Sequence, residues 1–111
     1  MLIVLGDLQA QIQHRDRARE LMRATREQTI GEPGCVSYDF AEALDDPGHF
    51  LIVQRWRDHE ALDHHYRSPT FARYQAHIGE SLVRSAEMTV YTVQASYAPV
   101  DSAPIEPQQE D

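Results

Sequence analysis

The feature that most constrains the fold is the eight-residue segment Gly31-Glu32-Pro33-Gly34-Cys35-Val36-Ser37-Tyr38. A helical period runs into it and a strand period runs out of it. Upstream, Ala18, Leu21, Met22 and Thr25 recur at helical spacing among Arg and Glu residues, so residues 15–29 read as an amphipathic helix. Two glycines flanking a Glu-Pro pair stop that helix. From Cys35 onward Val36, Tyr38 and Phe40 alternate with Ser37, Asp39 and Ala41, which is the period of a strand.

The same two periods order the rest of the chain. Residues 2–11 alternate, with Leu2, Val4, Leu8 and Ala10 on one face and Ile3, Leu5, Asp7, Gln9 and Gln11 on the other. Asp45-Asp46-Pro47-Gly48 is a turn: the carboxylates bond nearby backbone, Pro presets φ and Gly accepts an unusual φ. Residues 49–57 form the partner strand of a hairpin. Both of its faces are largely apolar (Phe50, Ile52, Gln54, Trp56 against Leu51, Val53, Arg55), which predicts cover on both sides. Asp58 caps a short helix carrying Ala61, Leu62 and His65 on one stripe, and Ser68-Pro69 starts another with Phe71, Tyr74, Ile78 and Leu82 inward. Residues 87–97 alternate once more. From Ala98 the chain is acidic and Pro-rich, so residues 98–111 are expected to be a disordered tail behind a domain of residues 1–97.

The order is βαββαβ with the second helix broken in two. It predicts an α+β, ferredoxin-like split-βαβ fold with a four-stranded antiparallel sheet. Helices on one face leave the other face in need of cover, and a second copy of the chain is the economical source.

Composition narrows the function classes. The net charge of −8 argues against nucleic acid and against an anionic membrane surface. All ten basic residues are Arg, so lysine Schiff-base chemistry is excluded. The single cysteine, Cys35, excludes an internal disulfide and a multi-cysteine metal site; it reads as a small buried hydrophobe. No apolar run is long enough to span a bilayer, and the N-terminal run lacks the features of a signal peptide, so cytoplasmic residence is expected.

Few residues offer chemistry. His65 lies on the inward stripe of its helix, whereas His64 points about 100° away, toward solvent. Desolvation holds such a His neutral and able to take a proton near neutral pH; the competing reading is a core histidine satisfied by a carbonyl. Trp56 is either core filler or a stacking surface for a flat substrate. Tyr66, Phe71 and Tyr74 flank His65 across the helix break, as core or as the wall of a pocket for a planar ligand. Asp7, Asp39 and Tyr91 are strand positions expected to face solvent or a subunit interface. Six histidines invite a metal, with His59, Asp63 and His64 the nearest approach to a cluster, but no spacing supplies three converging ligands. There is no phosphate loop and no dinucleotide fingerprint.

The helix-stop segment, read with Gln54-Arg55-Trp56-Arg57-Asp58 and Ala61-Leu62-Asp63-His64-His65, resembles the antibiotic biosynthesis monooxygenase domain family. The likeness is to its small quinol monooxygenase-like members and covers about residues 1–97. It implies a dimeric α/β barrel in which two sheets face each other. It also implies a cofactor-independent oxidation of a hydroquinone or polycyclic phenol by O2, with no metal. His65 matches a histidine that recurs after the Trp-Arg-Asp strand end, which implies a catalytic base. Trp56, Gln54, Tyr66, Phe71 and Tyr74 become the substrate-binding candidates. Gln54 departs from the glutamate usual in the family, which removes a possible base at that position. The heme-degrading branch of the fold has a tryptophan where His65 stands and a histidine where this chain has Gln75, so a heme iron ligand is missing. The expected partners are a small aromatic or quinone-like molecule, O2 and a second copy of the chain. An isomerase on the same scaffold, or a ligand-binding or stress-related dimeric barrel without turnover, are the alternatives.

Overall fold

The structure is a computed structural model, and it describes residues 1–79 and 83–99. The elements follow the expected order: β1 (Leu2–Ala10), a short 3-10 turn (Ile12–His14), α1 (Arg15–Thr29), β2 (Cys35–Glu42), β3 (His49–Trp56), α2 (His59–Tyr66), α3 (Pro69–His77) and β4 (Val83–Thr92). The four strands form one antiparallel sheet in the order β2-β3-β1-β4. This is the ferredoxin-like arrangement that the periodicities predict.

Local chemistry sets the boundaries. The Asp58 carboxylate accepts the Ala61 N–H at 2.9 Å and caps α2. The Ser68 hydroxyl accepts the Phe71 N–H at 3.1 Å, with Pro69 at the first position of α3. Gly48 takes φ +86° in the β2–β3 turn, a conformation that only glycine adopts freely.

The last strand differs from its expected span of 87–97. It starts at Val83 and ends at Thr92 because its extent is set by pairing with β1, from Ala10↔Val83 to Leu2↔Thr92. The Val93 N–H still reaches the Met1 carbonyl, at 2.9 Å, but the ladder with β1 closes at Leu2↔Thr92, so the alternation that continues to Tyr97 is not part of the strand. The small and polar Arg84-Ser85-Ala86 hid the start of the strand. Leu82, and the tail from Val100, lie outside the described residues.

The helices lie on one face of the sheet and cover it over β2, β3 and β1, while Met88 and Val90 of β4 on the same face are exposed by 42% and 43%. Leu8, Ala10, Phe50 and Ile52 from the strands pack with Ala18, Met22, Tyr74 and Ile78 from α1, α3 and the turn that follows. A second cluster joins Leu2, Val4, Tyr38 and Trp56 to Ala61 and Leu62 of α2. Phe40 touches both clusters. Among the described residues nothing covers the opposite face of the sheet: Leu5, Leu51 and Tyr91 are exposed there by 44%, 43% and 51%.

Candidate functional site

The turn after α1 and the inward stripe of α2 build the site together. Gly34 has φ +79°, and a Cβ there would stand 2.5 Å from the Ala61 Cβ, so only glycine lets this turn lie against α2. The Arg57 N–H donates to the Gly34 carbonyl at 2.8 Å and ties the turn to the end of β3. Residues 61 and 65 share a helix face, one turn apart. A turn seated on Ala61 therefore brings Glu32 over His65, and the His65 Nδ1–H donates to Glu32 Oε1 at 3.0 Å.

His65 is fully buried, while Glu32 keeps 12% of its side chain exposed. Rings enclose the imidazole: Trp56 at 4.8 Å between centroids, Phe71 at 5.1 Å, Tyr38 at 5.3 Å and Tyr66 at 5.6 Å. Burial pushes the imidazole below its ordinary value of 6.5, and this outweighs the opposing pull of the Glu32 carboxylate. The ring is then neutral at pH 7. Its proton is held on Nδ1 by the carboxylate, so Nε2 carries a free lone pair. Nε2 is buried and has no hydrogen-bond partner among the described residues. An orphaned buried acceptor on a carboxylate-oriented histidine has the makeup of a general base.

The other expected site residues divide. Trp56, Tyr66 and Phe71 meet His65 directly. Gln54 lies behind Trp56, whose indole N–H donates to Gln54 Oε1 at 3.0 Å, so its oxygen orients the indole. Tyr74 does not reach His65. Its ring meets Phe71 at 6.2 Å and Phe40 at 6.1 Å, and burial raises its hydroxyl to about 12. His64 is exposed, as its position on α2 predicts, and so are Asp7 and Asp39. Cys35 is half-buried, which pushes its thiol above the ordinary value.

Sequence reasoning missed two participants. Tyr38 reads as an ordinary strand position, yet its fully buried ring packs on the imidazole, and burial pushes its phenol up. Glu32 reads only as part of a helix stop. Its partner is 33 residues away, and no local pattern announces the pair. No group of three or more His, Cys, Asp or Glu side chains among the described residues is placed to hold a metal ion.

These features define a class: a small ferredoxin-like domain with a buried, carboxylate-oriented histidine in an aromatic shell on its helical side. The particular family follows from comparison with known proteins. The family model for antibiotic biosynthesis monooxygenases matches residues 1–77, and the chain belongs to that family. It is 38% identical over 89 residues to "Putative monooxygenase Rv0793" of Mycobacterium tuberculosis, covering 80% of this chain and 81% of the relative. The solved structure of Rv0793 superposes with a TM-score of 0.79 at 32% identity, over 87% of this chain and 98% of that one. A putative antibiotic biosynthesis monooxygenase from Deinococcus radiodurans superposes with a TM-score of 0.85 at 28% identity, over 90% of this chain and 99% of that one. An uncharacterized Synechocystis protein, sll1783, is 28% identical over 92 residues; the match takes in 83% of this chain but only 63% of the relative's length.

Proposed function

We propose that this protein is a cofactor-independent monooxygenase that oxidises a hydroquinone or polycyclic phenol with O2. The observation that carries the reading is the Glu32–His65 pair, with its free Nε2 inside a shell of aromatic rings. Family membership supports the oxygenase chemistry.

The reaction asks little of a protein. A hydroquinone anion is electron-rich enough to reduce O2 by itself. His65 Nε2 takes the phenolic proton, Glu32 holds the resulting imidazolium, and the rings exclude water from the anion. One oxygen atom enters the ring as a hydroxyl and the other leaves as water. A hydroquinone and O2 thus give a hydroxyquinone and H2O, and the substrate supplies all four electrons. Tyr66 and Phe71 are the half-buried members of the shell, and a planar substrate enters on their side, stacking toward Trp56. The working form is a homodimer that covers the exposed sheet face.

A second reading, a dimeric barrel that binds a planar ligand without turning it over, draws on the complete enclosure of His65. One experiment separates the two. Purified protein is given a hydroquinone panel in an oxygen electrode, with melting temperature followed in parallel. Oxygen uptake above the uncatalysed rate supports the monooxygenase. A melting shift without oxygen uptake supports the binder and overturns the proposal.

A further inference from the structure

We propose that the groove between α1 and β2 is a second ligand site, one that takes a small organic anion with a flat apolar body. The groove holds about 300 Å³, and none of the residues that ring His65 lines it. One wall is the arginine face of α1, with Arg19, Arg23 and Arg26; the floor is Met22, Phe40 and Phe50. Glu42 closes one end.

The charge arrangement specifies the ligand. Arg19 is fixed to Glu42 at 2.5 Å and to Asp16 at 3.0 Å. Arg26 is fixed to Asp39 at 3.2 Å. Arg23 stands between them on the same helix face, and no ion pair among the described residues uses it. The β2 residues between the two acids are Phe40 and Ala41, so the strand offers Arg23 no carboxylate. The lining therefore contains three cations and one anion, in a chain whose net charge is −8. A guanidinium with no partner among the described residues, beside aromatic floor residues, suits a carboxylate or phosphate carried on a ring: the anion meets the fork of Arg23 and the ring lies on Phe40 and Phe50. Arg19 and Arg26, held by their acids, frame the opening.

The test uses naphthoate as the probe, with inorganic phosphate and naphthyl methanol as its two halves. Binding is followed by backbone amide shifts in wild type, Arg23→Gln and Arg23→Glu. Naphthoate is expected to bind wild type with shifts confined to α1, β2 and the Phe50 end of β3. It should bind more tightly than either half-probe, and Arg23→Gln should raise its Kd about tenfold, the equivalent of one charge-assisted contact. Arg23 is exposed, so both variants should melt with the wild type. The proposal is overturned if naphthoate does not bind, if naphthyl methanol binds as well, if both variants keep the wild-type Kd, or if the shifts fall outside the groove.

Discussion

At the scale of the residue, His65 is where a structural role and the proposed chemical role meet, and pH separates them. Its folded-state value lies below 6.5, so between that value and 6.5 the unfolded chain binds more protons than the folded one. Stability therefore falls as pH drops through this window and levels off below it. Activity should follow the neutral imidazole, with its acid limb below pH 6.5. His65→Ala should lower turnover about 10²–10⁴-fold if Nε2 takes the proton. The same change empties a space inside an aromatic shell and should cost about 1–3 kcal/mol in denaturant unfolding. Loss of stability with unchanged turnover per folded molecule would assign His65 to the core alone, and His64→Ala should alter neither quantity. Glu32→Gln keeps an acceptor for Nδ1–H but removes the charge that favours imidazolium. The acid limb of the rate profile should move further down, and an unmoved limb would break the link between Glu32 and the base.

At the scale of the element, the turn after α1 decides whether this pair exists. Gly34→Ala introduces a Cβ at φ +79° and drives it against Ala61. It should destabilise the protein by about 3 kcal/mol in denaturant unfolding. Gly31→Ala is the control, since its new Cβ meets only the Gln28 carbonyl oxygen at 4.0 Å and its φ is ordinary. Equal stability of the two variants would mean that the turn does not depend on its seat on α2. The sequence carries much of this level openly. The helix stop, the hairpin turn, the Asp58 and Ser68 caps and the stripe of α2 are written in contacts within a few residues, so periodicity and cap chemistry find them. Glu32 and Tyr38 were illegible because their roles arise only when distant segments pack. The limits of β4 were misread for a related reason: a strand ends where its partner ends, and β1 is far away in sequence. Tyr74 keeps the right period for α3 but faces the other half of the core, a matter of helix rotation that period alone does not fix.

At the scale of the whole molecule, the decisive fact is a sheet that the described residues cover on one face only. Leu5 stands at the centre of the open face, its Cα partnered by Val53 on one side and Thr89 on the other. Ile3 is flanked by Arg55 and Tyr91 in the next row of that face, and Asp7 by Leu51 and Glu87 on the other side. The apolar centre and charged margin match the anatomy of a subunit interface, where apolar area excludes water and peripheral charges fix register. Water against Leu5, Leu51, Val53 and Tyr91 is costly, and a second copy presenting the same face removes it on both chains at once. The protein should therefore sediment as a dimer at micromolar concentration, burying about 2,000 Å² in total. Val53→Glu places a charge in the middle of the apolar row, opposite its symmetry-related neighbourhood, and should shift the species to monomer. Its own fold should survive, because Val53 faces away from the helices and is already 36% exposed in one chain. A wild-type monomer under these conditions would overturn the dimer. A Val53→Glu dimer of undiminished affinity would overturn this face as the interface and move the contact to another surface.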